Sequence, residues 1–358
     1  YVYNSNVKAK NDAINVIRYS LKRGHSLDKF KNVQEISQIE SNFKIEKLYA
    51  GESHRDLTTI SYANKKEDLE KFQLITGENS YKGREGIEFY PQEIFLLSLE
   101  DMPEKDRCLF LKNYQNKRSK YKVPVRIIKI EKEYLNPLVR GREIEKYHLQ
   151  NNKYCVPFPY EENEKIPMPL KELNRKAPSL AKYLLSSKGI IKEQTEYSEK
   201  IINDSNAEFY ALARVGKYTY ANYAVAYRDN TKWQATVVER IDTSWGNGIR
   251  PLFQNHAVSI TEDKDGIFIS REEAYYICGI LNAPIVEEYI INSSDSRTFK
   301  IDPAIYIPKF DINNEKHKKI YELSKKAHEN YDNKEFIKEI DEKIDKLYLD
   351  ICKLKNNK

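Results

Sequence analysis

Tyr210-Ala-Leu-Ala-Arg-Val-Gly-Lys-Tyr-Thr-Tyr-Ala-Asn-Tyr-Ala-Val-Ala-Tyr-Arg228 interleaves aromatic rings with guanidinium and ammonium groups. Its alternation reads as two strands around a Gly216-Lys217 turn. Tyr and Val are common strand residues, so an ordinary β-hairpin explains the composition. A nucleic-acid surface explains it as well, because ring faces stack on bases while Arg and Lys neutralise phosphates or fork onto guanine edges.

Outward from this stretch, strand-like and helical segments alternate. Upstream, residues 11–23 read as a helix that Gly24 ends, and residues 43–63 as a hairpin turning at Gly51-Glu-Ser-His54. Lys65–Leu74 reads as a short helix, Tyr81–Gly86 as a glycine-broken loop, and Glu93–Leu99 and Val123–Ile130 as strands. After the break at Pro157-Phe-Pro159, residues 170–186 form one helix with Leu180, Tyr183 and Leu184 on a shared face.

Downstream, strands continue from Glu208 to Val238, and a polar loop at Thr243–Gly248 carrying Trp245 leads to a strand at Ala257–Ile260. Helices occupy 271–281 and 284–292, broken at Asn282-Ala-Pro284. Ile305–Phe310 reads as an edge strand, since Pro308 cannot donate to a ladder. At the end, Ile337, Ile340, Ile344, Leu347, Tyr348, Ile351 and Leu354 recur every three or four residues. That pattern is an amphipathic helix, and a shorter one near 315–329 precedes it across the Asn330–Asn333 turn. The expected class is α+β: mixed, largely antiparallel sheets with packed helices and a C-terminal helical hairpin. The expected units are a lead-in at 1–80, a central domain at 81–312 and the hairpin at 313–358.

At 358 residues the chain has ample length to bury a core. Mean hydropathy is −0.74, and no apolar run approaches the ~20 residues that cross a bilayer. A soluble, cytoplasmic protein with no membrane partner is expected. The net charge of +6 is modest, but Lys112–Lys146 holds eleven basic residues against four acids, enough to follow a phosphate backbone. A solvated face has the same composition. Cys108, Cys155, Cys278 and Cys352 lack metal-ligand spacing and are expected as reduced, buried thiols. His256 is expected to pack near a strand, without a partner that would make it a base.

Motifs for chemistry are missing. There is no Gly-x-Gly-x-x-Gly, P-loop or Gly-x-Ser-x-Gly elbow. No Pro-Asp dipeptide opens a nuclease core, and no tetrapeptide of the Pro-Pro-Tyr kind grips a flipped adenine.

The segments nonetheless follow an order that resembles the C-terminal target-recognition region of Taq-type adenine-specific DNA methyltransferases, above all those fused into single-chain restriction–modification enzymes. The matching pieces are Leu135-Asn-Pro-Leu-Val-Arg-Gly-Arg-Glu-Ile-Glu-Lys-Tyr147, Tyr154-Cys-Val-Pro-Phe-Pro-Tyr160 and Phe209–Arg228. Asn255-His-Ala-Val-Ser-Ile260, Glu273–Pro284, Ile305–Phe310 and the Ile340–Tyr348 helix follow, and Tyr81-Lys-Gly-Arg-Glu-Gly86 stands upstream. The likeness runs from about residue 80 to the end, and the order is more specific than any one piece. The family's catalytic and cofactor motifs are absent.

What the resemblance implies is a duplex-DNA reader without activity of its own. A separate upstream methyltransferase domain would carry S-adenosyl-L-methionine and methylate a flipped adenine. Mg would belong to an upstream endonuclease domain, if one exists. On that reading Lys117, Arg118, Lys120, Lys122, Arg140 and Arg142 contact phosphates. Tyr210, Arg214, Lys217, Tyr218, Tyr223 and Arg228 face base edges, with Lys232 and Trp233 behind them. Three alternatives stand beside it: a turn in which Arg140 and Arg142 pair with Glu143 and Glu145, a cryptic nuclease or methyltransferase fragment, and a basic scaffold lobe for a protein partner.

Overall fold

In the computed structural model the described residues are 14–22, 24–25, 35, 37, 40–54, 57–115, 119, 121–151, 153–193, 207–293, 299 and 301–355. The class is α+β, as expected. Every ladder among the described residues is antiparallel except one, between β8 (Leu135–Val139) and β16 (Leu252–Phe253).

A first core forms around a four-stranded sheet. Its order is β13 (Ala235–Val238), β12 (Ala224–Arg228), β17 (Ala257–Asp263) and β4 (Tyr81–Arg84). Helix α5 (Arg271–Leu281) lies against this sheet with all residues from Glu273 to Leu281 buried. Ser270 and Glu273 cap its start reciprocally. The C-terminal pair α7 (Glu315–Glu329) and α8 (Lys334–Lys355) packs on α5 and on α1 (Lys66–Ile75). Gly279 allows the approach, since a Cβ there would stand 2.9 Å from Ile320 Cγ2. Ile340, Ile344, Tyr348 and Ile351 of α8 are buried, and each apolar side chain so placed contributes roughly 1.5–3 kcal/mol. The hairpin is therefore continuous with the core of the sheet.

A second core surrounds a six-stranded sheet in the order β16, β8, β11 (Tyr154–Pro157), β5 (Leu97–Leu99), β6 (Cys108–Asn113) and β7 (Ile127–Glu131). Helices α2 (Gln92–Phe95), α3 (Leu170–Lys176) and α4 (Pro178–Ser186) complete it. The chain passes from the first core at Tyr81 to the second at Ile87, touches the first again at Tyr147, returns to it by Val225, visits the second again at Leu252, and returns for good by Val258. Short strands β9 (Ile144–Glu145) and β10 (His148–Leu149) pair between these units, and β14 (Ile241–Thr243) with β15 (Gly246–Ile249) makes a small hairpin in place of the expected polar loop.

Several expectations need correction. Residues 14–21 are a strand, β1 (Ile14–Leu21), because they pair along their whole length with β2 (Phe43–His54). Its Ile14, Val16 and Ile17 suit a pleated surface, and pairing overrides the helical spacing. The β2–β3 hairpin exists, but its register from Tyr49↔Ala63 to His54↔Leu57 keeps Gly51–His54 within β2 and not in a turn, with β3 at Leu57–Ala63. Tyr81–Arg84 is an edge strand rather than a loop; Gly83 N donates to Asp302 Oδ1 at 2.7 Å, and the Ile301 carbonyl fills the space of its missing Cβ. The segment 93–99 splits into α2 and β5, and the strand expected from Val123 starts only at Ile127. Pro178 splits the helix at 170–186, because Ala177 before it takes an extended φ of −140°. Ile305–Phe310 makes only isolated bridges, from Ile305 to Thr76 and from Ile307 to Asn79. Helices α5, α6 (Pro284–Ser293), α7 and α8 fall where periodicity places them. All four cysteines are buried.

Candidate nucleic-acid interface

The aromatic run is not a hairpin around Gly216-Lys217. Residues 210–216 form no strand, Lys217–Tyr220 is a 3-10 turn, and only Ala224–Arg228 joins a sheet. Its tyrosines act as clasps. The hydroxyls of Tyr210, Tyr218 and Tyr220 donate to the carbonyls of Met168 (2.6 Å), Arg214 (2.8 Å) and Glu164 (2.6 Å), and Tyr227 donates to that of Ile301. A buried phenol keeps its apolar body packed by finding such an acceptor. Tyr210 and Trp233 are each 1% exposed, and Trp233 Nε1 donates to Leu281 O at 2.6 Å. Both are core residues, which corrects their placement at a base-reading surface. Tyr223 is half-buried against the first core. The Arg84 guanidinium covers the Tyr218 ring at 4.3 Å, and Lys217, though exposed, sits 5.2 Å from the Phe268 ring centre.

The basic residues divide sharply. Arg140 is 6% exposed; its Nη2 and Nε bind Glu143 at 2.5 and 3.1 Å, and its guanidinium lies over Tyr154. It belongs to the structural turn, not to a phosphate-contacting surface. Arg142, two residues on, is exposed. Lys122 is exposed on the connection from β6 to β7, in the second core's half. Lys117, Arg118 and Lys120 lie outside the described residues.

Arg142, Arg214, Arg228 and Lys232 are brought to one end of the four-stranded sheet. Arg228 pairs with Ala257 in the β12–β17 ladder, and Lys232 stands exposed on the turn after it. Gly141 abuts the residue before Ala257, since a Cβ there would meet His256 O at 2.6 Å; this carries the neighbouring Arg142 to the same place. Arg214 sits at φ +66°, a left-handed backbone that costs a non-glycine residue energy. Ion pairs to Glu85 at 2.5 Å and Glu88 at 3.0 Å hold its side chain.

One pair at this sheet end has no counterpart in the sequence reading. His256 Nδ1 lies 2.8 Å from Asp229 Oδ2, with the imidazole 59% exposed and the carboxylate 7%. The hydrogen bond to Asp229 holds the histidine pKa above its ordinary value, against the opposing effect of partial burial. So His256 does have an acidic partner. The register Arg228↔Ala257 is what sets Asp229 opposite His256, and that follows only once β12 is known to pair with β17. Arg228 Nε and Asn255 Oδ1, beside the pair, are buried with no hydrogen-bond partner.

The arrangement can bind anions and donate hydrogen bonds. Nucleophilic chemistry at sulfur is disfavoured, because burial pushes the Cys155 and Cys352 thiols up to about 12. Among the described residues no group of three or more His, Cys, Asp and Glu is placed to hold a metal ion, and no helix is long and apolar enough to cross a membrane. No protein-family model matches the chain, and a search of curated proteins finds no match.

Proposed function

We propose that this chain is the double-stranded-DNA recognition region of an adenine-specific DNA methyltransferase or restriction–modification enzyme, working in the cytoplasm. It holds the duplex while a separate domain carrying S-adenosyl-L-methionine methylates a flipped adenine. Any Mg-dependent cleavage would likewise belong to another domain. The observation that carries the reading is the gathering of Arg142, Arg228, Lys232 and His256 from separate segments at one end of one sheet. Loops held by a rigid sheet suit backbone positioning and base readout.

The test is fluorescence anisotropy of the chain with cognate-candidate, scrambled and single-stranded DNA. With about four phosphates neutralised, duplex affinity should fall roughly 100-fold between about 50 and about 200 mM salt while a sequence preference persists. Equal affinity for all three DNAs, or no salt dependence, would refute it. A second reading, a scaffold lobe for a protein partner, draws on the pairing of Arg214 with Glu85 and Glu88, which satisfies that guanidinium internally. Under it, no duplex is preferred.

A further inference from the structure

His256 is an exposed ring fixed by a carboxylate that has been taken out of water, and nothing in the packing of the sheet calls for that arrangement. Asp229 is otherwise complete: Asn230 Nδ2 donates to its Oδ1 at 2.7 Å, and its backbone carbonyl accepts from Phe299 N at 2.5 Å. Burying a carboxylate is costly unless its lone pairs are used, and the second oxygen is used on His256 Nδ1. With Nδ1 engaged, the ring's other nitrogen has no partner among the described residues.

We propose that His256 Nε2 is a contact for a phosphodiester oxygen of duplex DNA, engaged in its protonated form, and that Asp229 positions the ring for it. This rests on the DNA-binding reading and names the ligand chemistry of one of its groups. The charges around the ring explain why the proton matters. Asp229 and Glu85 face it as acids, Glu88 stands behind them on Arg214, and Arg142, Arg214, Arg228 and Lys232 stand as cations. Four cations against three carboxylates leave this end only slightly positive. One proton on His256 therefore strengthens the attraction of the cluster for a phosphate. The Nε2–H of an imidazolium makes a charge-assisted bond to such an oxygen, stronger than a neutral one. Asp229 favours that imidazolium, in line with the raised pKa of the ring.

The experiment is anisotropy of a labelled duplex with the full chain at about pH 6 and about pH 8.5, each over a salt series, for wild type, His256→Gln and His256→Lys. Wild type should bind roughly tenfold more tightly at the lower pH. Its salt slope should be steeper there by about 0.9, the value of one more neutralised phosphate. His256→Gln should bind alike at both pH values, and His256→Lys should keep the tighter binding at both. Wild-type affinity that ignores pH, or pH dependence that survives His256→Gln, overturns the proposal.

A parallel titration of the His256 ring proton by NMR, with and without dimethyl phosphate, needs neither a folded variant nor DNA binding. An upward shift of its midpoint with the phosphodiester supports the site, and an unmoved midpoint overturns it. If no duplex binds at any pH but the midpoint shifts, the DNA reading fails while the anion site stands.

Discussion

Lowering the pH from about 7 to about 4.5 should destabilise this fold through a definable side chain, His328. Its Nδ1 donates to Ser324 O at 2.8 Å within α7, and its Nε2 accepts from the backbone N–H of Val237 in β13 at 3.0 Å. The ring is wedged edge-on against Tyr147 and Tyr275. A proton on Nε2 would point at a backbone donor, so the bond that ties the C-terminal helices to the sheet requires the neutral ring. Burial accordingly lowers its pKa from 6.5 to about 4. Because the folded value lies below the unfolded one, the contribution is fully present above pH 6.5 and is lost as pH falls toward and through 4. At about pH 4.5 the unfolded histidine is almost wholly protonated and the folded one roughly a quarter so, a difference of about 2.5 kcal/mol. Urea unfolding of wild type and of His328→Gln, which keeps an acceptor but does not titrate, isolates this group from other ionisations. Between the two pH values wild type should lose roughly 2 kcal/mol more than the variant. Parallel losses in the two proteins would refute the reasoning.

Gly141→Ala should cost roughly 1–3 kcal/mol in a urea midpoint, because the added carbon meets the backbone carbonyl of His256, which cannot swing aside as a side chain can. Arg140→Ala should cost roughly 3–5 kcal/mol by stranding the buried Glu143 carboxylate, whereas Arg140→Met with Glu143→Leu costs far less. Denaturant midpoints of the three proteins check it. The four thiols should resist a thiol reagent at about pH 8 in the native protein and all react once it is unfolded; rapid labelling of the folded chain would contradict their burial.

Helices were legible in this sequence where periodicity, caps and breakers agreed. Ser270 with Glu273, Asn282-Ala-Pro284 and the Ile340–Ile351 stripe each state a boundary or a face in local terms. Strands were less so. Ile14–Leu21 satisfies a helical spacing, and its true state depends on Phe43–Ala50 across a long connection. The tyrosines of 210–228 look alike in sequence, and what separates core from surface is a set of distant carbonyls at Met168, Glu164 and Ile301. Of the candidate site, Arg142, Arg228 and Lys232 could be named from residue type and motif order. Arg140 could not be separated from Arg142 without knowing which one turns inward. The His256–Asp229 pair was invisible because β13 and the β14–β15 hairpin intervene between its halves.

Tyr348 of the last helix donates to the carbonyl of Tyr306 at 2.9 Å and reaches that of Ile75 at 3.4 Å. The first half of the polypeptide thus waits for its final stretch. On a ribosome, α1 can pack on β2 and β3, but β4 emerges well before its sheet partner β17, and the contact of α1 with Tyr348 closes over more than two hundred residues. Loop entropy of that size makes assembly slow compared with a bundle of local contacts. Such a protein depends on protection during synthesis more than its mature interior would suggest.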